Sequence, residues 1–201
     1  MPHFLTEPAD SPDVQALYDQ DLADDGYVSN AARLWAHQPT TFNRLFELMA
    51  FALEPARISD RQRGILIAAA ASTLRDSYCS LAWGGKLSRM AGPVVAAGVI
   101  HGTDVGLSDQ EHAIASWTRK IVTDANSTTP SDVRMLRDAG LSDLQIFSVT
   151  AFVALRVAYS MINDALGARP DSELVDSLPD AIVKAVTYGR PAFEAVASPD
   201  E

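Results

Sequence analysis

Nowhere does this chain alternate apolar and polar residues in the period of two that a half-buried strand needs. Its apolar positions recur every three to four residues almost from end to end, so helices must carry the fold. The helix ends are marked as clearly as the faces. Ser11 followed by Pro12 opens a helix that Gly26 stops. Phe42, Leu45, Phe46, Met49 and Leu53 share one face of a second helix, which Pro55 ends. Ser59 caps a third, apolar nearly all round from Ile65 to Ala71, as expected of a central helix in a bundle. Ser108 with Glu111, and Ser142 with Gln145, have the spacing of capping boxes. Pro130 and Gly140 bound a helix between these two, and a last short one is expected near Pro179 to Tyr188. The stretch AGPVVAAGVIHGTDVG, which contains His101, reads as a short helix followed by a loop. The expected fold class is all-α, with residues 1–58 as an N-terminal helical extension packed on a helical domain of 59–201, the two forming one structural unit.

Charge narrows the function classes. Sixteen Lys and Arg against 26 Asp and Glu give a net charge of -10, which disfavours phosphate backbones and anionic lipid, so neither nucleic acid nor membrane is an expected partner. The apolar run ILIAAAA is too short to cross a bilayer, and Arg156 interrupts the longer stretch IFSVTAFVALRVAYSMI. The beginning, MPHFLTEPADSPD, lacks the basic and apolar pattern of a secretory leader, and a cytoplasmic location is expected. Four scattered His with no H-x-x-x-H pair suggest no metal site, and no cofactor is implied.

The chain has one cysteine, Cys79, in STLRDSYCSLAWGGKL, so no disulfide can form within it. Cys79 falls in the first turns of a helix from about Ser77 to Met90, where the helix dipole favours a thiolate. Asp76, three residues earlier, opposes that effect, and Arg75 would offset Asp76. No His lies within twenty residues of Cys79. Local signs therefore cancel, and a packed structural thiol stands beside a reactive one as a reading.

The stretch Ser59 to Gly92 resembles the core of the carboxymuconolactone decarboxylase and alkylhydroperoxidase D family, in particular its peroxidase-related branch. That family carries a Glu, then twelve residues later Cys-x-x-Cys-x-x-x-His. Laid on RGILIAAAASTLRDSYCSLAW, the pattern matches its second Cys to Cys79, while Gly64 takes the Glu position, Asp76 the first Cys and Trp83 the His. Segments on both sides, such as YDQDLADDGYVSNAARLWAHQPTTFNRLFEL, LSDQEHAIASWTRKI and the closing GRP, resemble the same branch, so the likeness covers roughly residues 15–191. It implies an alkylhydroperoxidase D-like bundle and an antioxidant oxidoreductase whose paired thiols cycle through a disulfide. With three of four motif residues replaced, peroxidase turnover is expected to be weak or absent. Two other readings stay open: a catalytically silent relative that binds a small molecule, and a cofactor-free lyase or isomerase acting on a small carboxylate.

Other residues extend the candidate site. His101 would reach over the Cys79 pocket from its loop, although a lone loop His is more often idle. Arg75, Lys86 and Arg89 are the nearest cations; Lys86 and Arg89 share a helix face, either as anchors for a carboxylate or as a solvated face with ordinary salt bridges. Arg156 and Tyr159 read as buried polar groups with reach to a neighbouring subunit. The apolar breadth of residues 144–166 implies a homo-oligomer, a dimer or a multiple of one, with Ala154 or Ala158 as contact positions.

Overall fold

The computed structural model describes residues 1–192, and these contain eleven α-helices and no β-strand. α1 (Pro12–Asp25), α2 (Asn30–Trp35) and α3 (Pro39–Leu53) precede a pair formed by α4 (Asp60–Leu74) and α5 (Ser77–Ala91). Then come α6 (Pro93–His101), α7 (Asp109–Asp124), α8 (Pro130–Asp138), the long α9 (Asp143–Ala165), and two short helices, α10 (Ser172–Asp176) and α11 (Asp180–Ala185). The end of the 59–201 unit, from residue 193, lies outside the described residues.

Helix starts follow the sequence signals. Ser59, Ser108 and Ser142 each accept from the N3 backbone, and the N3 side chains of Gln62, Glu111 and Gln145 return the bond. Ser11 accepts from the Val14 amide, and Gly26 closes α1 at φ 82°, a left-handed conformation that costs glycine nothing. α10 carried no recognised signal. Its N-cap residue, Asp171, makes no side-chain capping bond; it accepts instead from the Asn30 backbone at 2.7 Å and from the Tyr78 hydroxyl, tying α2, α5 and the chain after α9 together.

α4 is central. Residues Gly64 to Ala71 are all buried, and the helix packs against α5, α7 and α9 at once. Small side chains on every side let three neighbours approach, which explains its weak amphipathicity. One apolar cluster runs from α1 and α2 through α3, α4 and α9, including Trp35, Met49, Leu66, Phe152 and Cys79. A second lies between α4, α5, α6 and α11. Gly84 faces α11 so closely that an added Cβ would come within 2.8 Å of Ile182, and Gly85 faces the segment before it, where a Cβ would come within 2.3 Å of Leu178.

By length and hydropathy α9 would also span a bilayer. Its inner face, however, buries Ser148, Arg156, Ser160 and Asn163 against the bundle, which marks it as a core helix. Its outer face is different. Leu144, Phe147, Ala154, Ala158, Met161 and Ala165 are exposed, and with Ala151 they recur at alternating steps of three and four. Leu144, Phe147 and Met161 are 60%, 72% and 61% exposed, a continuous apolar stripe along the helix.

Candidate functional site

Asp76 ends the turn after α4 and is the N-cap of α5: its Oδ1 accepts from the Cys79 amide at 2.9 Å. The residue in the first-Cys position of the family pattern therefore has a structural task, one that its distance of three from Cys79 encodes. Asp76 is fully buried, and its Oδ2 has no partner. The cap holds the first turn of α5 so that Cys79 lies against α9, where Arg156 Nη2 donates to Sγ at 3.5 Å.

The surroundings work against a thiolate. Burial pushes the Cys79 thiol far above its ordinary range, and the charge of Asp76 pushes it further; Arg156 opposes both without overcoming them. Burial likewise raises the neighbouring Tyr159 phenol, with Cys79 adding to it. No other cysteine exists, and Trp83, one turn after Cys79 on α5, carries no acid–base group.

Cys79 lies at the inner end of a cleft of about 360 Å³. Its lining includes the buried Tyr159 and Arg156, the half-buried Phe42 and Trp83 and the exposed Phe46, together with Lys86, Arg89, Asp21, Asp25 and Glu173. Phe46, Trp83 and Arg156 also wall a second cleft of about 310 Å³ on the α3–α4 side. Tyr159 is fixed by a stack on Trp35, centroids 5.4 Å apart, and by the edge of Phe46 at 5.3 Å. Three cations converge on the Trp83 ring: Lys86 at 5.0 Å, Arg63 at 5.4 Å and Arg156 at 5.8 Å from its centroid.

The structure gathers some of the predicted site residues and separates others. Asp76, Cys79 and Trp83 stand together on α5, and Lys86 and Arg89 line the same cleft. Both are exposed on the solvated face of α5 that the alternative reading expected, though neither makes a salt bridge among the described residues. Gly64 lies outside both clefts; a Cβ there would meet Leu87 at 3.3 Å and Met90 at 3.4 Å. Arg75 caps the end of α4 at φ 62° and extends over the Tyr188 ring, away from Cys79. His101 is not in a loop: it is the exposed last residue of α6, because Gly102 takes the left-handed position that ends the helix. It lines neither cleft.

Arg156 and Tyr159 turn inward and need no neighbouring subunit. They are 4% and 7% exposed, with the Arg156 guanidinium 4.7 Å from the Tyr159 ring centroid. The aromatic wall was missed. Phe42 and Phe46, four apart on α3, were read only as a packing face, and no signal in the sequence tells a pocket wall from a core face. Among the described residues no cluster of His, Cys, Asp and Glu suits a metal ion.

No protein-family model matches the chain, and no curated protein matches it significantly. Solved structures do. The alkylhydroperoxidase AhpD core of an uncharacterized peroxidase-related protein from Ralstonia eutropha JMP134 superposes with a TM-score of 0.77 at 19% identity, covering 87% of this chain and 95% of that one. An uncharacterized peroxidase-related protein from Silicibacter sp. TM1040 gives 0.77 at 16%, covering 86% and 94%. The apo debrominase Bmp8 gives 0.70 at 13%, covering 92% and 97%, and a variant of it in complex with 2,3,4-tribromopyrrole gives 0.69 at 13%, covering 90% and 97%. At such identities the likeness is one of fold, and the chain has the all-α fold of the alkylhydroperoxidase AhpD-like proteins.

Proposed function

We propose that this protein has kept the pocket of a peroxidase-related fold and lost its dithiol chemistry, so that it binds a small molecule without hydroperoxide turnover. The observation that carries this reading is the setting of Cys79. The thiol is 3% exposed, beside a buried carboxyl, with no second thiol, and Trp83 one turn on carries no acid–base group. A peroxidatic thiol must ionise near neutral pH and then be resolved by another thiol. This one meets neither condition. The cleft meanwhile has the size that small-ligand sites share, and it joins an aromatic wall to several charged groups. The brominated pyrrole held by a debrominase variant of the same fold also supports a small ring as occupant.

Hydroperoxide consumption with a dithiol reductant tests it. Wild type and Cys79→Ser are expected to be equally inactive. Removing a positioned acid–base group alone costs roughly 100- to 10,000-fold in rate. Rapid consumption that disappears in Cys79→Ser would overturn the proposal.

A homo-oligomer is the second part of the reading. The exposed stripe on α9 is bulky at both ends (Leu144, Phe147; Met161, Ile162) and small in the middle (Ala151, Ala154, Ala158). It is therefore complementary to itself. Two antiparallel copies crossing near Ala154 would place small residues at the closest approach and large ones on either flank. A second copy of this chain is the occupant that this pattern fits.

A further inference from the structure

The Arg156 guanidinium is a buried cation with no carboxylate in direct contact; the nearest buried acid, Asp76, lies on the other side of the Cys79 thiol's surroundings as the cap of α5. No carboxylate pairs with it among the described residues, Nε is buried with no partner, and the one hydrogen bond it makes is the weak one from Nη2 to the Cys79 sulfur. Burying a guanidinium is costly unless its donors and its charge are satisfied. Its contacts with the Tyr159 and Trp83 rings recover a part, since a desolvated cation is attracted to an aromatic face. They leave the donors in the guanidinium plane unused. Lys86 and Arg63 also lie over the Trp83 ring, and neither has an ion-pair partner among the described residues. Of the three cations on this indole only Arg156 is buried, so it alone has donors shut off from water; Lys86 and Arg63 are exposed and solvated.

We infer that the cleft binds a small aromatic monoanion, its carboxylate or phenolate oxygen on the Arg156 guanidinium and its ring between Trp83 and the Phe42–Phe46–Tyr159 wall. This rests on the reading of the cleft as a ligand site and adds the ligand class. The anion is called for by the unpartnered donors, and a planar oxygen pair matches the guanidinium fork. The ring is called for by the aromatic walls. The single charge is called for by Asp21, Asp25 and Glu173, which line the same cleft and repel a second negative group.

Benzoate is the probe, with benzamide as its neutral isostere and acetate as the anion without a ring, all measured calorimetrically on the full-length wild-type protein. Benzoate is expected to bind at least tenfold more tightly than either, and Arg156→Gln is expected to lose at least tenfold in benzoate affinity. Because Arg156→Gln alters a buried position and risks the fold, wild-type ¹H–¹⁵N spectra provide a second measurement. Benzoate is expected to shift the Trp83 indole resonance, assigned with Trp83→Phe, and the Arg156 Nε–H resonance. Equal affinity for benzoate and benzamide, no detectable benzoate binding, or shifts confined to other residues would overturn the assignment. Hydroperoxide turnover in the same preparation bears on the loss of redox chemistry and not on this result, so the two failures are distinguishable.

Discussion

Asp76→Ala and Asp76→Asn separate two effects of one carboxyl. Oδ1 caps α5 by accepting from the Cys79 amide at 2.9 Å, while Oδ2 is buried without a partner and the charge raises the Cys79 thiol. Alanine removes both; asparagine keeps a cap acceptor and removes the charge. Loss of an N-cap costs about 1 kcal/mol, which for a chain of this size lowers Tm by roughly 2–4 °C. Asparagine is expected to leave Tm close to wild type, because the lost charge was itself poorly solvated. Both variants are expected to ionise Cys79 at lower pH than wild type, still above the range of a free thiol because burial is the larger cause. Thermal unfolding by circular dichroism reads the first effect, and thiolate absorbance in the ultraviolet reads the second. If asparagine is as damaging as alanine, Asp76 is not held for its cap. If neither variant lowers the thiol pKa, its charge is not what the thiol feels.

Two further predictions concern the whole molecule. Ala154→Glu at the centre of the α9 stripe is expected to dissociate the oligomer, since burying an unpaired charge costs roughly 3 kcal/mol, about a hundredfold in affinity; light scattering near 21.6 kDa for wild type at micromolar concentration would refute self-association. Tyr27, Tyr78, Tyr159 and Tyr188 are all raised chiefly by burial, as is Cys79. The unfolded state therefore releases protons at lower pH than the folded state, and stability is expected to fall as pH rises above about 9 to 10. Tyrosinate absorbance and helical signal should then change together, and tyrosine ionisation well before unfolding would contradict the burial account.

Helix starts were legible because capping is local: Ser59, Ser108 and Ser142 sit three residues before the side chains that complete their boxes. Asp76 shows where local reading turned ambiguous. Its spacing from Cys79 matches the first Cys of the resembled pattern and sets a charge beside a thiol, although the same spacing is that of an N-cap. At His101 the ambiguity lies in a stretch rich in glycine, which suits a loop, although Gly102 just past the helix end equally marks its stop. The charge and size of Arg156 were visible, but its missing partner was not, since pairing depends on neighbours far along the chain. The same holds for Phe42 and Phe46, whose role as cleft wall follows from how α3 crosses α9. On α9 the apolar breadth was readable, while the division into a buried face and an exposed stripe required the packing of α3 and α4.

The central claim is that Cys79 is no longer a peroxidatic thiol, and with one cysteine in the chain its ionisation can be read without ambiguity. The measurement is absorbance near 240 nm of native wild type against Cys79→Ser across pH 5 to 10. The account predicts no thiolate step below pH 9, because burial and Asp76 both hold the proton on sulfur. A full thiolate step below pH 8 in the folded protein would contradict it.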